Sequence, residues 1–126
     1  MYGLALQALD ADANACGLDR ATLANGVTSG VKGTPIKITA EAVQLFNFFV
    51  EVATLYSDGR CTSMVTLRVS AFVDPTYAAL IAAEITPWNQ RAIVISSKES
   101  HQQVVEDELS KQASIFANIW REAQIP

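Results

Sequence analysis

The chain has 126 residues, half of them apolar and 17% charged, with nine basic against thirteen acidic side chains and a net charge of −4. That length and apolar content suit one folded domain over residues 1–126 and exclude a disordered chain. The acidic balance argues against a broad phosphate-neutralising surface, so no nucleic-acid partner is expected.

The opening Met1-Tyr2-Gly3-Leu4-Ala5 has neither a basic n-region nor a long apolar core, so it is not a signal peptide. Met1 is compatible with a start codon placed on an already processed chain. Leu4 to Ala15 is rich in alanine and predicts an N-terminal helix, its end blurred by Asp10, Asp12 and Asn14. Asp19 reads as the N-cap of a second helix, in which Ala21, Leu23, Ala24, Val27 and Val31 recur at helical spacing. Gly26 and Gly30 each weaken that helix by roughly 1 kcal/mol relative to alanine, and they admit the close approach of another element. Gly33-Thr34-Pro35 is a stop signal, after which Ile36 and Ile38 open a short strand.

Residues 43–56 carry two conflicting signals. Gln44, Asn47, Glu51 and Thr54 fall at helical spacing, yet Phe46 to Val52 is dense in aromatic and β-branched types and Asp58-Gly59 is a strong hairpin turn. A register test favours strands. With Asp58-Gly59 as the turn, Phe48 faces Val69, Val50 faces Leu67, Val52 faces Val65, Thr54 faces Ser63 and Tyr56 faces Cys61, an almost wholly apolar face. The opposite face pairs Asn47 with Ser70, Phe49 with Arg68, Glu51 with Thr66 and Ala53 with Met64. A one-residue slip would destroy this segregation, so strands are predicted over 45–56 and 61–73.

Asp74-Pro75 breaks the ladder. Residues 79–86 suit a strand or a short helix, Pro87-Trp88-Asn89-Gln90 reads as a turn, and Arg91–Ile95 reads as a short strand. The stretch Ala78–Ala83 is the longest apolar run and is far too short to cross a bilayer, so no membrane span is expected. Ser100 with Gln103 fits a capping box. Val105, Leu109, Gln112, Phe116, Ile119 and Ala123 then mark one face of a helix from about 100 to 123, with Trp120 beside them.

The predicted fold class is α+β: an antiparallel sheet of about four strands around a long central hairpin, packed by an N-terminal helical region and a long C-terminal helix. Of the two cysteines, Cys61 falls on the apolar sheet face and Cys16 just before the second helix. Their count alone fits either a bridge or two buried thiols, but the placement favours a Cys16–Cys61 disulfide and hence an oxidising compartment. Closing a loop of that length stabilises the fold by about 4 kcal/mol in the chain-entropy picture.

Five features together resemble a loose group of small, uncharacterised exported proteins of proteobacteria, over most of residues 15–121. They are Cys16-Gly17-Leu18 opening a helix, Pro35-Ile36-Lys37-Ile38 after it, a long hairpin with a cysteine just past its turn, a Thr86-Pro87-Trp88 corner, and a closing Phe116-Ala117-Asn118-Ile119-Trp120. Pro87 departs from the pattern, in which threonine is followed directly by tryptophan. The resemblance implies a periplasmic or secreted domain whose signal peptide has been removed, a cytoplasmic protein being the alternative. It implies no activity and no catalytic residues.

Chemistry-bearing constellations are sparse. His101 is the sole histidine and reads as a solvated residue at a helix start. Asp10, Asp12 and Asn14 mimic a calcium loop, but its sixth and twelfth positions hold Ala15 and Ala21. Gly26-x-x-x-Gly30 lacks the lysine and hydroxyl residue of a phosphate loop. Glu51 and Glu84 are candidates for a carboxylate pair, although Glu51 is better placed to meet Arg68 diagonally across the hairpin. No metal and no cofactor is expected.

The leading expectation is therefore a non-enzymatic interaction domain acting through a protein partner or as a homodimer. Its candidate contact face comprises Leu45, Phe49, Leu55 and Met64 on the second sheet face, with Trp88 and Arg91 as a small binding spot. Coverage of that face by the N-terminal helix is the alternative. A small-molecule module with an apolar pocket lined by Phe46, Phe48, Phe116 and Trp120 is the second functional reading, and a carboxylate enzyme is the third.

Overall fold

The computed structural model describes residues 2–39, 46–73 and 83–124, and of 71–73, 83–87 and 120–124 the backbone alone. The elements run β1 (Tyr2–Leu6), α1 (Ala11–Ala15), α2 (Arg20–Val31), β2 (Ile38–Thr39), β3 (Phe46–Ser57), β4 (Arg60–Val73), β5 (Ala83–Ser97) and α3 (His101–Gln124). The five strands form one sheet in the order β2-β1-β3-β4-β5. The α+β class holds, but the sheet is mixed: β1 runs parallel to both β2 and β3, while β3, β4 and β5 form an antiparallel meander.

The expected helix over 4–15 splits into a strand and one short helix. Tyr2, Leu4 and Leu6 alternate with Gly3 and Ala5, and their registry opposite Phe46, Phe48 and Val50 turns them toward the core. Asp10 caps α1 by accepting from the Ala13 amide at 2.8 Å. Gly17 ends the helix at φ +79, with Leu18 N donating to Ala13 O and Gly17 N to Asn14 O. This is the left-handed terminus that glycine adopts most readily, and it leaves Cys16 as the cap residue.

In α2 the predicted cap is present: the Asp19 carboxylate accepts from the Thr22 amide at 2.7 Å, and that bond holds its pKa below the usual value. Leu23, Val27 and Val31 enter the core. Gly26 and Gly30 face α3. A β-carbon on Gly26 would lie 2.9 Å from Glu106 O and from Leu109 Cβ, and one on Gly30 would collide with Ser110 O and sit 2.6 Å from Ala113 Cβ. The missing side chains thus let the two helices lie almost backbone to backbone. Gln102 Nε2 donates to Thr22 Oγ1 at 2.7 Å across the same seam.

The hairpin has the predicted register throughout, from Phe48 opposite Val69 to Tyr56 opposite Cys61. Asp58 (φ +51) and Gly59 (φ +76) both take left-handed backbone, as a two-residue turn matched to strand twist requires. Leu45 and the expected break at Asp74-Pro75 lie outside the described residues, as do 79–82. Residues 83–86 are strand.

Pro87-Trp88-Asn89-Gln90 is not a turn but part of β5. The register passes from Val69 opposite Trp88 to Ala71 opposite Ile85, so β5 carries one extra residue there. A bulge on an edge strand accommodates a proline that has no amide to donate. The predicted capping box at the start of α3 does not form: the Ser100 hydroxyl lies 3.0 Å from Ser97 Oγ, and the Gln103 amide donates forward to Asp107.

Both long helices and α1 lie on one face of the sheet. Phe48, Val50 and Val52 of β3 and Val65, Leu67 and Val69 of β4 pack against Leu23, Val27 and Val31 of α2 and Val105, Leu109, Ala113, Phe116 and Ala117 of α3. Ile119, expected on the buried stripe, is 48% exposed. Ala13 places α1 in this same core, so α1 does not cover the second sheet face.

Gly30→Ala is expected to lower stability by about 1–3 kcal/mol through overpacking against α3, read as the urea midpoint. Thr28→Ala, on the exposed side of the same helix, should change it by less than about 0.5 kcal/mol.

Candidate functional site

At the hairpin-tip end, the core face of the sheet turns polar. Cys61 is bonded to Cys16, with Cα atoms 6.1 Å apart, which ties α1 to β4 as the sequence placement anticipated. Asp12, one of the would-be calcium ligands, accepts from the Tyr56 amide at 3.2 Å and fastens α1 to β3 as well. Among the described residues no group of three or more His, Cys, Asp or Glu is placed to hold a metal.

Beside the bridge lies His101, which is buried rather than solvated. Its Nε2 is 2.7 Å from Ser63 Oγ and its Nδ1 is 2.7 Å from Ser96 Oγ. Ser63 Oγ is in turn 2.8 Å from Thr54 Oγ1, and Ser96 Oγ donates to Ser97 O at 3.1 Å. A hydroxyl can donate or accept, so a neutral ring has both nitrogens satisfied. The expectation of a surface histidine fails because Ser63, its partner on β4, lies 38 residues away, where local sequence could not reveal it. A serine hydroxyl on an imidazole nitrogen is also the geometry of an activated nucleophile. Here Ser63 and His101 are both fully buried, and the pair seats the start of α3 on the sheet. Burial pushes the His101 pKa below its ordinary value, because a charged ring there would be stripped of water.

Of the aromatic residues expected to line a pocket, Phe48 and Phe116 belong to the core cluster and Phe46 is 39% exposed. Phe48 and Phe116 meet edge to face at 5.4 Å, Tyr2 lies 5.3 Å from Phe48 and 5.7 Å from Phe46, and Trp88 stacks on Phe116 at 5.3 Å. The side chain of Trp120 is outside the described residues, as is that of Glu84.

The second face of the sheet differs along its length. Asn47, Thr66 and Ser70 are buried on it. Next to them Phe49 lies half-buried beneath the Arg68 guanidinium, 4.3 Å from the ring centroid, and Arg68 Nε is 3.3 Å from Glu51 Oε1. This is the diagonal pair expected from the hairpin register. Toward the turn, Leu55 stands opposite Thr62 and Thr62 opposite Ile95. In the next row Ala53 stands opposite Met64 and Met64 opposite Ile93. The large members of these rows are open to solvent: Leu55 65%, Ile95 59%, Met64 41% and Ile93 64%. An open cleft of about 310 Å³ continues the patch to the tip, lined by Leu55, Ser57, Asp58, Arg60 and Thr62.

Of the predicted contact residues, Phe49, Leu55, Met64 and Arg91 share this face, and Leu45 is not described. Trp88 does not join them. Its position opposite Val69 turns it to the core side, whereas Arg91, opposite Thr66, points outward, so the two form no common spot. Sequence reasoning missed Ile93 and Ile95 as members of the patch. Alternation in Arg91-Ala92-Ile93-Val94-Ile95 was the available signal, but a strand of apolar residues at every position does not say which side is covered.

Neither a family model nor a curated protein matches this chain. Among solved structures the chain is similar to a protein of Caulobacter crescentus CB15 provisionally classed as a lipoprotein, with 8% identity and a TM-score of 0.49 over 98% of this chain and 93% of that one. No helix among the described residues is long and apolar enough to cross a membrane.

Two outcomes follow from the polar end of the core. Replacing Cys16 and Cys61 together by serine should cost about 4 kcal/mol in the urea midpoint, and air-purified, denatured wild-type protein should show no thiol until reductant is added. For His101 the unfolded chain binds a proton near pH 6.5 while the folded chain resists it. Stability is then complete above that pH and declines as pH falls from about 6.5 through the lower folded value, with a limiting slope of about 1.4 kcal/mol per pH unit. His101→Gln should remove this component from a series of urea melts between pH 7.5 and 5.

Proposed function

We propose that the protein is an exported, non-enzymatic interaction domain that works through protein contact on the second face of its sheet. The observation that carries this reading is the row of Leu55, Met64, Ile93 and Ile95 left open on β3, β4 and β5. A sheet normally buries one face against a core and dresses the other in polar side chains. Here the described helices all occupy the core side, and the other side exposes large aliphatic residues across adjacent strands. Such a contiguous patch marks a contact surface more often than a bare solvent face. Export is supported by the Cys16–Cys61 bridge, since such bonds persist in oxidising compartments.

Contact is tested in the compartment where the protein resides, by placing a photo-activated phenylalanine analogue at Ile93 and, as a control, at the exposed Asn25 of α2. Protein adducts from position 93 and none from position 25 are the expected result. Equal labelling, or no adduct from position 93, would refute the contact reading.

A further inference from the structure

Resting on that contact surface, we infer that its occupant is a second copy of this chain, docked face to face about a two-fold axis running roughly along β4. The argument is the distribution of side chains to either side of β4. The patch is flanked by a row in which Glu51 of β3, Thr66 of β4 and Arg91 of β5 stand side by side. The anion is therefore on one flank and the cation on the other, at the same level. A two-fold axis along β4 exchanges the flanks and keeps the level. It sets Glu51 against the partner's Arg91 and Arg91 against the partner's Glu51, an isologous pair of contacts.

Arg91 is exposed and makes no ion pair among the described residues, whereas Arg68 is already held by Glu51 and Phe49. The same operation lays Leu55 on the partner's Ile95 and the small Ala53 under the partner's Ile93, and brings Met64 onto its own symmetry mate. Bulky residues on β5 thus meet the β3 flank, and each apolar row covers an apolar row. Arg60 at the tip and Arg68 one row beyond Thr66 both lie on β4 near the axis, so like charge at each end bounds the interface.

The expected size follows from strand geometry. Three rows about 6.8 Å apart across three strands about 4.8 Å apart give a footprint of roughly 300 Å² on each copy. That belongs to the small, reversible class of interfaces rather than to obligate dimers. The dimer should therefore dissociate within the concentration range of a sedimentation experiment.

The test is sedimentation equilibrium on the full chain with three variants. Arg91→Glu, which puts like charges at both symmetric contacts, is expected to weaken the dimer about tenfold, and Arg91→Gln, which removes the charge without reversing it and leaves the Glu51–Arg68 pair intact, should weaken it less. Met64→Cys, on the axis, should form a covalent dimer under mild oxidation, with near-ultraviolet circular dichroism showing that each variant remains folded. A dimer that ignores Arg91→Glu and gives no covalent Met64→Cys product would overturn the proposed docking. So would a chain that stays monomeric at every concentration. If that monomer still yields adducts with other proteins from position 93, the contact surface stands and only its occupant is wrong.

Discussion

The turn at Asp58-Gly59 decides more of this molecule than any other pair of residues. Two successive left-handed residues allow one pairing register between β3 and β4, and side chains on a strand alternate faces. That register sends Phe48, Val50, Val52, Val65, Leu67 and Val69 under the helices. It also delivers Cys61 to Cys16 and Ser63 to His101, and it turns Leu55 and Met64 outward. Shifted by one residue, the core, the cross-link and the histidine seat would all fail together.

A second constraint is the closeness of α2 and α3. With Gly26 and Gly30 against the backbone of α3, the helices form one layer that crosses the core face of the sheet. The cost in helix propensity is offset by dense packing of Leu23, Val27 and Val31 against Leu109 and Ala113. Because this layer and α1 share one side, nothing helical among the described residues is placed over Leu55, Met64, Ile93 and Ile95. The asymmetry of the molecule is thus a packing result before it is a functional one.

The parts of the fold that could be read from sequence were those set by local chemistry. The Asp19 cap, the glycine pair, the hairpin register, the Glu51–Arg68 diagonal and the apolar stripe of α3 all follow from spacing or from the side chain's own backbone preference. The cross-link was inferable because the register put Cys61 on the covered face. What escaped depends on partners distant in sequence. Five residues of β1 are too few to outweigh alanine-rich surroundings, and they form a strand only because β2 and β3 flank them. Pro87 suggested a corner because a bulge is invisible without its neighbouring strand. His101 looked solvated because Ser63, one of the two hydroxyls that satisfy it, lies 38 residues away. The contact face was half legible: Leu55 and Met64 followed from the hairpin register, while Ile93 and Ile95 needed β5 in place.

The covalent link between Cys16 and Cys61 has an order built into it. Both sulfurs belong to the first half of the chain, and Cys61 follows directly on the turn. Both β5, at the edge of the sheet, and the long C-terminal helix that completes the core come later in the polypeptide. In a chain that emerges N-terminus first, oxidation needs no residue beyond the start of β4. The early half can therefore be sealed as a closed ring on which the remainder condenses.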